Sequence, residues 1–237
     1  MRRPRDLVLA AVVGLTAAVG TAWPTQARAQ DAGSPALTIR PVTDGAVIAS
    51  SLALVGIASL IHVDTDRRWQ HELLPIDDPV KRNFSAGAMR ASDLLLTLAV
   101  LAPVAVDAGR GFDAAMGQRT LVYGETLAVT LALNAGTKYL VGRPRPYVYN
   151  EQPQVEAYAR AQERDAHLSF YSGHAATSFA AAVAGAYLFS QSSADTTTRT
   201  AVWATGLALA GATSNLRARA GKHFYSDVLV GAVVGAG

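Results

Sequence analysis

The 237-residue chain contains no cysteine, which excludes a disulfide-stapled scaffold, thiolate metal sites, iron–sulfur clusters and a thiol nucleophile. Charge is scarce as well: Asp, Glu, Lys and Arg make up 16% of the residues, against roughly 25% in an average soluble domain. Lysine occurs only at Lys81, Lys138 and Lys222. The net charge of +3 resides in the first 29 residues, where Arg2, Arg3, Arg5 and Arg28 face only Asp6, and beyond them the two signs balance. No basic stripe interleaved with aromatics follows, so no nucleic-acid partner is expected.

Apolar residues, by contrast, make up 50% of the chain. A basic start, an apolar run from Leu7 to Ala22 and the triplet Ala27-Arg28-Ala29 before Gln30 read as a signal peptide or an N-terminal anchor over residues 1–29. Residues 30–44 form a polar lead-in, and residues 45–237 the main domain. Its apolar segments lie near 46–61, 94–106, 121–141, 175–189, 200–216 and 226–237. Ala and Leu dominate them, strand-type alternation is missing, and Ser, Asp, Gly or Pro stands near several ends. An all-α, six-helix bundle embedded in a membrane is expected.

A membrane span takes about 20 mostly apolar residues. Residues 45–63 carry no Asp, Glu, Lys or Arg and meet that length. Asp93 and Asp107 bracket a shorter run, Glu125 interrupts the third segment, and only ten residues follow Asp227. On this reading the chain stops inside its last helix, or part of the bundle packs as an Ala-rich core beside the membrane.

Three polar clusters punctuate the helices. Lys138-Tyr-Leu-Val-Gly-Arg143-Pro-Arg145-Pro146 closes the third, where cations complement the helix dipole and each Pro fixes the direction of the preceding Arg. Ser172-Gly173-His174 opens the fourth, placing a hydroxyl, an amide hydrogen and an imidazole where the dipole favours an anion. Between the fifth and sixth come Arg217, Arg219, Lys222, His223 and Asp227; the last two are one helical turn apart, so the carboxylate can hold a ring nitrogen. Each cluster alone is compatible with plain helix capping. In an up-and-down bundle, however, all three fall at one end, and the combined cations, helix start, histidines and carboxylate suit a phosphoryl group.

Taken together, the clusters resemble the type 2 phosphatidic acid phosphatase and vanadium haloperoxidase superfamily, matching its three motifs in order and spacing from about residue 120 onward. Tyr171 stands where the family usually has Pro, and Leu216 where it usually has Ser. The resemblance implies that His223 attacks phosphorus to form a phosphohistidine, with Asp227 orienting and charging its ring. His174 would protonate the leaving group and then activate water. Lys138, Arg145, Arg217, Ser172 and Gly173 would bind the phosphoryl oxygens, with no metal and no cofactor. Arg143, Arg219 and Lys222 read as rim charges, and His62, His71 and His167 as surface or interfacial residues.

The expected substrate is a phosphomonoester or pyrophosphate of a lipid, of the phosphatidate, phosphatidylglycerophosphate or undecaprenyl pyrophosphate type. The alternatives are a soluble exported acid phosphatase, a haloperoxidase using vanadate in the same pocket, which the short chain disfavours, and a non-catalytic helical membrane protein. The expected location is a bacterial-type inner membrane, or the periplasm for a soluble form. If residues 30–44 are exported and every later segment crosses, the active face is cytoplasmic, whereas family members with lipid substrates usually work on the outer side.

Overall fold

A computed structural model describes residues 37–63, 65, 73–191 and 194–237; the expected signal segment lies outside them. The described residues form helices α1 (Pro41–Leu60), α2 (Ala86–Ala108), α3 (Ala114–Val141), α4 (Pro153–Ala161), α5 (Gly173–Ser190), α6 (Thr196–Arg219) and α7 (Tyr225–Ala236), with 3-10 turns at Pro75–Val80, Pro146–Tyr149 and Asp165–His167. All six expected segments are helical. Most begin earlier than their apolar runs because the start is set by a cap. Ser85, Asp113, Ser172 and Asp195 each accept an amide hydrogen three residues on, and α1 and α4 begin with Pro.

One expectation about length is corrected. α2 runs through Asp93, since a single charge facing a partner does not end a helix. Consequently α1 and α2 are both long and apolar enough to cross a membrane. They expose Leu52, Ile57 and Leu60, and Leu94, Leu98 and Leu101, respectively.

α5 is the central rod, packing against α2, α3, α6 and α7, while α1 lies along α3. Its buried positions are almost all small, including Ala175, Ala176, Ala180, Ala181, Ala182, Gly185 and Ala186, which lets neighbouring backbones approach closely. The same holds for α7: a Cβ at Gly231 would stand 2.5 Å from the Ser172 carbonyl oxygen, and one at Gly235 would collide with that of Ala176.

The helices run up and down. Leu37, just before α1, packs with Tyr123 and Leu188 near the start of α3 and the end of α5. At the opposite end Arg164 donates to the carbonyls of Ala58, Ser59 and Ile61, capping α1. The starts of α2, α5 and α7 and the ends of α1, α3 and α6 therefore gather at one end.

Gly221 turns the chain between α6 and α7 with φ of +72°, and a Cβ there would collide with the Asn83 carbonyl. Gly221→Ala is expected to cost at least the ~1–2 kcal/mol of a left-handed L-residue and to lower the thermal midpoint. Gly124→Ala, in α3 with open space around it, should be neutral or stabilising by ~0.5–1 kcal/mol. Thermal unfolding of the two variants beside the parent checks the contrast.

Candidate active site

α3 ends at Gly142, whose φ of +63° satisfies the left-handed cap. From there the Arg143-Pro144-Arg145-Pro146 segment enters the interior. Arg145 is 3% exposed and fully directed: Nε and Nη2 donate to the Asp165 carbonyl and carboxylate at 2.7 Å each, and Nη1 to the Lys222 carbonyl at 2.6 Å. The same Nη1 stands 3.2 Å from His223 Nε2. The Lys138 side chain, in the last turn of α3, has no hydrogen bond or ion pair among the described residues.

His223 is 1% exposed, and its Nδ1 lies 2.8 Å from the Ser169 carbonyl oxygen. A carbonyl only accepts, so Nδ1 carries the proton and Nε2 keeps its lone pair. That corrects the expectation that Asp227 holds the ring. Its Oδ2 is 3.8 Å from Nδ1 and instead accepts the Ser169 hydroxyl at 2.5 Å and the Phe224 amide at 2.9 Å, while Oδ1 accepts Arg143 Nη1 at 2.6 Å. One turn of spacing brings the two residues together, but Ser169 stands between them as the hydrogen-bonding partner of both. Burial, followed by Arg145, Lys138, Arg217 and His174, keeps His223 neutral well below its ordinary pKa. The same four groups place all three sequence clusters around one ring.

His174 and Arg217 meet on Asp93 of α2: its Oδ1 lies 2.8 Å from His174 Nε2 and 3.2 Å from Arg217 Nη1. Arg217 also donates to Ser92 Oγ at 3.2 Å, and its buried Nε has no partner. Ser172 is buried and accepts the Ala175 amide as N-cap, so its own hydroxyl hydrogen is free to donate. The Gly173 amide belongs to the first turn, whose donors have no acceptor within the helix. Asn134 of α3 binds the Tyr171 carbonyl through Nδ2 at 2.8 Å, and a Cβ at Gly173 would lie 2.6 Å from its Oδ1. Asn134 thus shapes the loop at Tyr171.

Arg143 and Lys222 are not rim charges. Arg143 is 6% exposed, bridges Asp77 and Asp227, and stacks over Phe224 at 4.3 Å from the ring centroid. Lys222 is 8% exposed and bonds Tyr158 Oη at 2.8 Å and Asp165 at 3.1 Å. Arg219 and His62 are exposed and His167 half-buried, as expected, while His71 lies outside the described residues. Sequence reading missed Asp77, Asp93, Asn134, Asp165 and Ser169. None belongs to the three clusters, and only Asp93, at the head of the apolar run of α2, carried a signal.

Two groups outside the apolar helices give a pH dependence. An unfolded His223 takes up a proton near 6.5, whereas the folded one stays neutral well below that; this contribution to stability is complete above pH 6.5 and declines below it. Burial alone would raise Asp165, but Arg145 and Lys222 outweigh it and hold its pKa at about 2, below the usual 3.8. Its contribution is complete above pH 3.8 and fades toward pH 2. The thermal midpoint is expected to fall as the pH drops from 6.5, and less steeply in His223→Asn. An equal slope in that variant would contradict the neutral buried ring.

No curated protein and no solved structure matches the chain. The family model described as the PAP2 superfamily matches residues 119–237, half of the chain, including the exit of α3, the start of α5 and the His223 turn. By that match, the chain belongs to the PAP2 superfamily.

Proposed function

We propose that the protein is a metal-independent phosphatase acting on a lipid phosphate through a phosphohistidine on Nε2 of His223. The single observation that carries this reading is the His223 ring: its Nδ1 proton is committed to Ser169 and its Nε2 lone pair lies beside Arg145. Family membership supports phosphoester chemistry in general.

In the proposed reaction Nε2 attacks phosphorus, the bond to the leaving oxygen breaks, and His174 delivers a proton to that oxygen. Because Nε2–H of His174 is donated to Asp93, Nδ1 is the nitrogen that exchanges the proton. Deprotonated His174 then takes a proton from water as the water oxygen attacks phosphorus and the P–Nε2 bond breaks, releasing phosphate and restoring both rings. Lys138, Arg217, the Ser172 hydroxyl and the Gly173 amide stabilise charge on the equatorial oxygens, with Arg145 between them and the nucleophile. Among the described residues, no three His, Asp or Glu side chains gather as a metal site, and the cations supply the charge that a metal would otherwise bring.

Activity on a phosphomonoester is expected to persist in EDTA and to be inhibited by vanadate, whose trigonal-bipyramidal form resembles the transferred group. Acid quench should trap phosphohistidine in the parent and none in His223→Ala. His174→Ala should lose on the order of a hundredfold to ten-thousandfold on an alkyl ester, and less on an activated aryl phosphate. Full loss of activity in EDTA, or phosphohistidine surviving in His223→Ala but absent from His174→Ala, would overturn the mechanism or the two histidine roles respectively.

A lipid substrate is supported by continuity of surfaces: Asp93 in the site is followed on the same helix by exposed Leu94, Leu98 and Leu101. Lipid phosphate should be turned over in preference to a short-chain ester, and comparable rates in detergent would favour the soluble acid phosphatase instead. Membrane crossing by α1 has its own test, which the natural lack of cysteine makes clean. Val42, 88% exposed at the start of α1, and Gln154, exposed on α4, lie at opposite ends of the bundle. Single cysteines there should label from opposite sides of sealed vesicles; labelling from one side would show that α1 does not cross.

A further inference from the structure

Behind His223 lies a second buried carboxylate, paired with the same guanidinium as Asp227. Asp77, in the Pro75–Val80 turn and outside the family match, is fully buried. Its Oδ2 accepts Arg143 Nη2 at 2.8 Å and Ser226 Oγ at 2.6 Å, and its Oδ1 accepts the Ser226 amide at 2.9 Å. Arg143 reaches past it to Asp227 at 2.6 Å. One guanidinium thus serves two buried carboxylates. Burying a charge is costly unless it is paired, so a purely structural pair would need only one of them. The excess negative charge is the feature that needs a reason.

That charge faces an imidazole that cations otherwise surround. Arg145 and Lys138 approach the ring from the exit and last turn of α3, Arg217 from α6 and His174 from α5, while Asp165 and Lys222 hold Arg145 from the far side. Among the described residues, Asp227 of α7 is the carboxylate paired with the ring, at 3.8 Å from Nδ1. It is coupled to the ring through Ser169, whose carbonyl takes the Nδ1 proton and whose hydroxyl donates to Asp227.

We propose that Asp77 is a positioning residue for His223: it holds Arg143 from behind, so that the Asp77, Arg143 and Asp227 group keeps one net negative charge toward the ring as phosphorylation makes it cationic. This rests on the phosphohistidine reading. Without Asp77, Arg143 would neutralise Asp227 and the ring would lose its counter-charge. Two consequences of opposite kind follow. Phosphorylation slows because the cationic ring is less stabilised, and the acid limb of the pH profile moves down because the free ring is harder to protonate.

The test compares the parent with Asp77→Asn and Ser226→Ala in the full-length protein, by rapid-quench phosphohistidine formation and the pH profile of kcat/KM. Asp77→Asn should form phosphohistidine about tenfold more slowly while its acid limb moves down by about one pH unit or more. Ser226→Ala removes a shared hydroxyl but no charge, so its limb should stay in place. A slowed Asp77→Asn with an unmoved limb, or a limb moved equally in both variants, would make Asp77 structural only and overturn the proposal. Asp77→Ser replaces Asp77→Asn if the latter fails to fold; if neither folds, Asp77 is a fold residue and the proposal is wrong. Absence of phosphohistidine in the parent would overturn the phosphohistidine reading and this inference with it. A trapped parent intermediate with an unchanged Asp77→Asn profile overturns this inference alone.

Discussion

Two guanidinium groups, two residues apart in sequence, are buried at the exit of α3, and much of the active end is arranged around keeping each of them paired. Arg143 draws in Asp77 from the turn before α2 and Asp227 from the first turn of α7. Arg145 draws in Asp165 from the turn after α4 and the Lys222 carbonyl. Buried charges are tolerable inside a protein only when carboxylates and carbonyls gather on them. The Arg-Pro repeat therefore acts as a hub, and segments up to 84 residues away from it along the chain close on it.

The hub works because the helices beneath it are close together. α5 is so rich in Ala, and α7 so dependent on Gly231 and Gly235, that the first turns of both reach the same layer. In that layer the Ser172 amide donates to the Asp227 carbonyl at 3.0 Å. Larger side chains on either helix would push the Ser172 turn away from His223. The spacing of these two residues is thus a consequence of side-chain volume along the helices.

Around the buried pairs, a few groups are left uncommitted: Lys138, Arg217 Nε, the Ser172 hydroxyl hydrogen and the first amides of α5. Donors held in place and lacking a partner cost stability, and they are what a phosphoryl group would complete. Arg217 and His174 share Asp93, which links one charge-binding group to the proposed proton carrier.

The sequence by itself determined the six long helices, the three motif clusters and their convergence, because apolar runs, caps and alternating chain direction are local or nearly local properties. The order and spacing of Lys138, Arg145, Ser172, Gly173, His174, Arg217, His223 and Asp227 were enough to name the superfamily. Only the tertiary structure decided which charges are interior and which nitrogen of His223 is free. Arg143 and Arg219 look alike in a string of letters, yet one is buried between two carboxylates and the other is exposed. Asp77, Asp93, Asp165 and Ser169 carry no local pattern, because their partners lie 20 to 149 residues away along the chain. A hydrogen bond to a backbone carbonyl, such as that of Ser169, leaves no side-chain signature. The one-turn spacing of His223 and Asp227 was legible; that Ser169 would stand between them depended on where a distant loop packed.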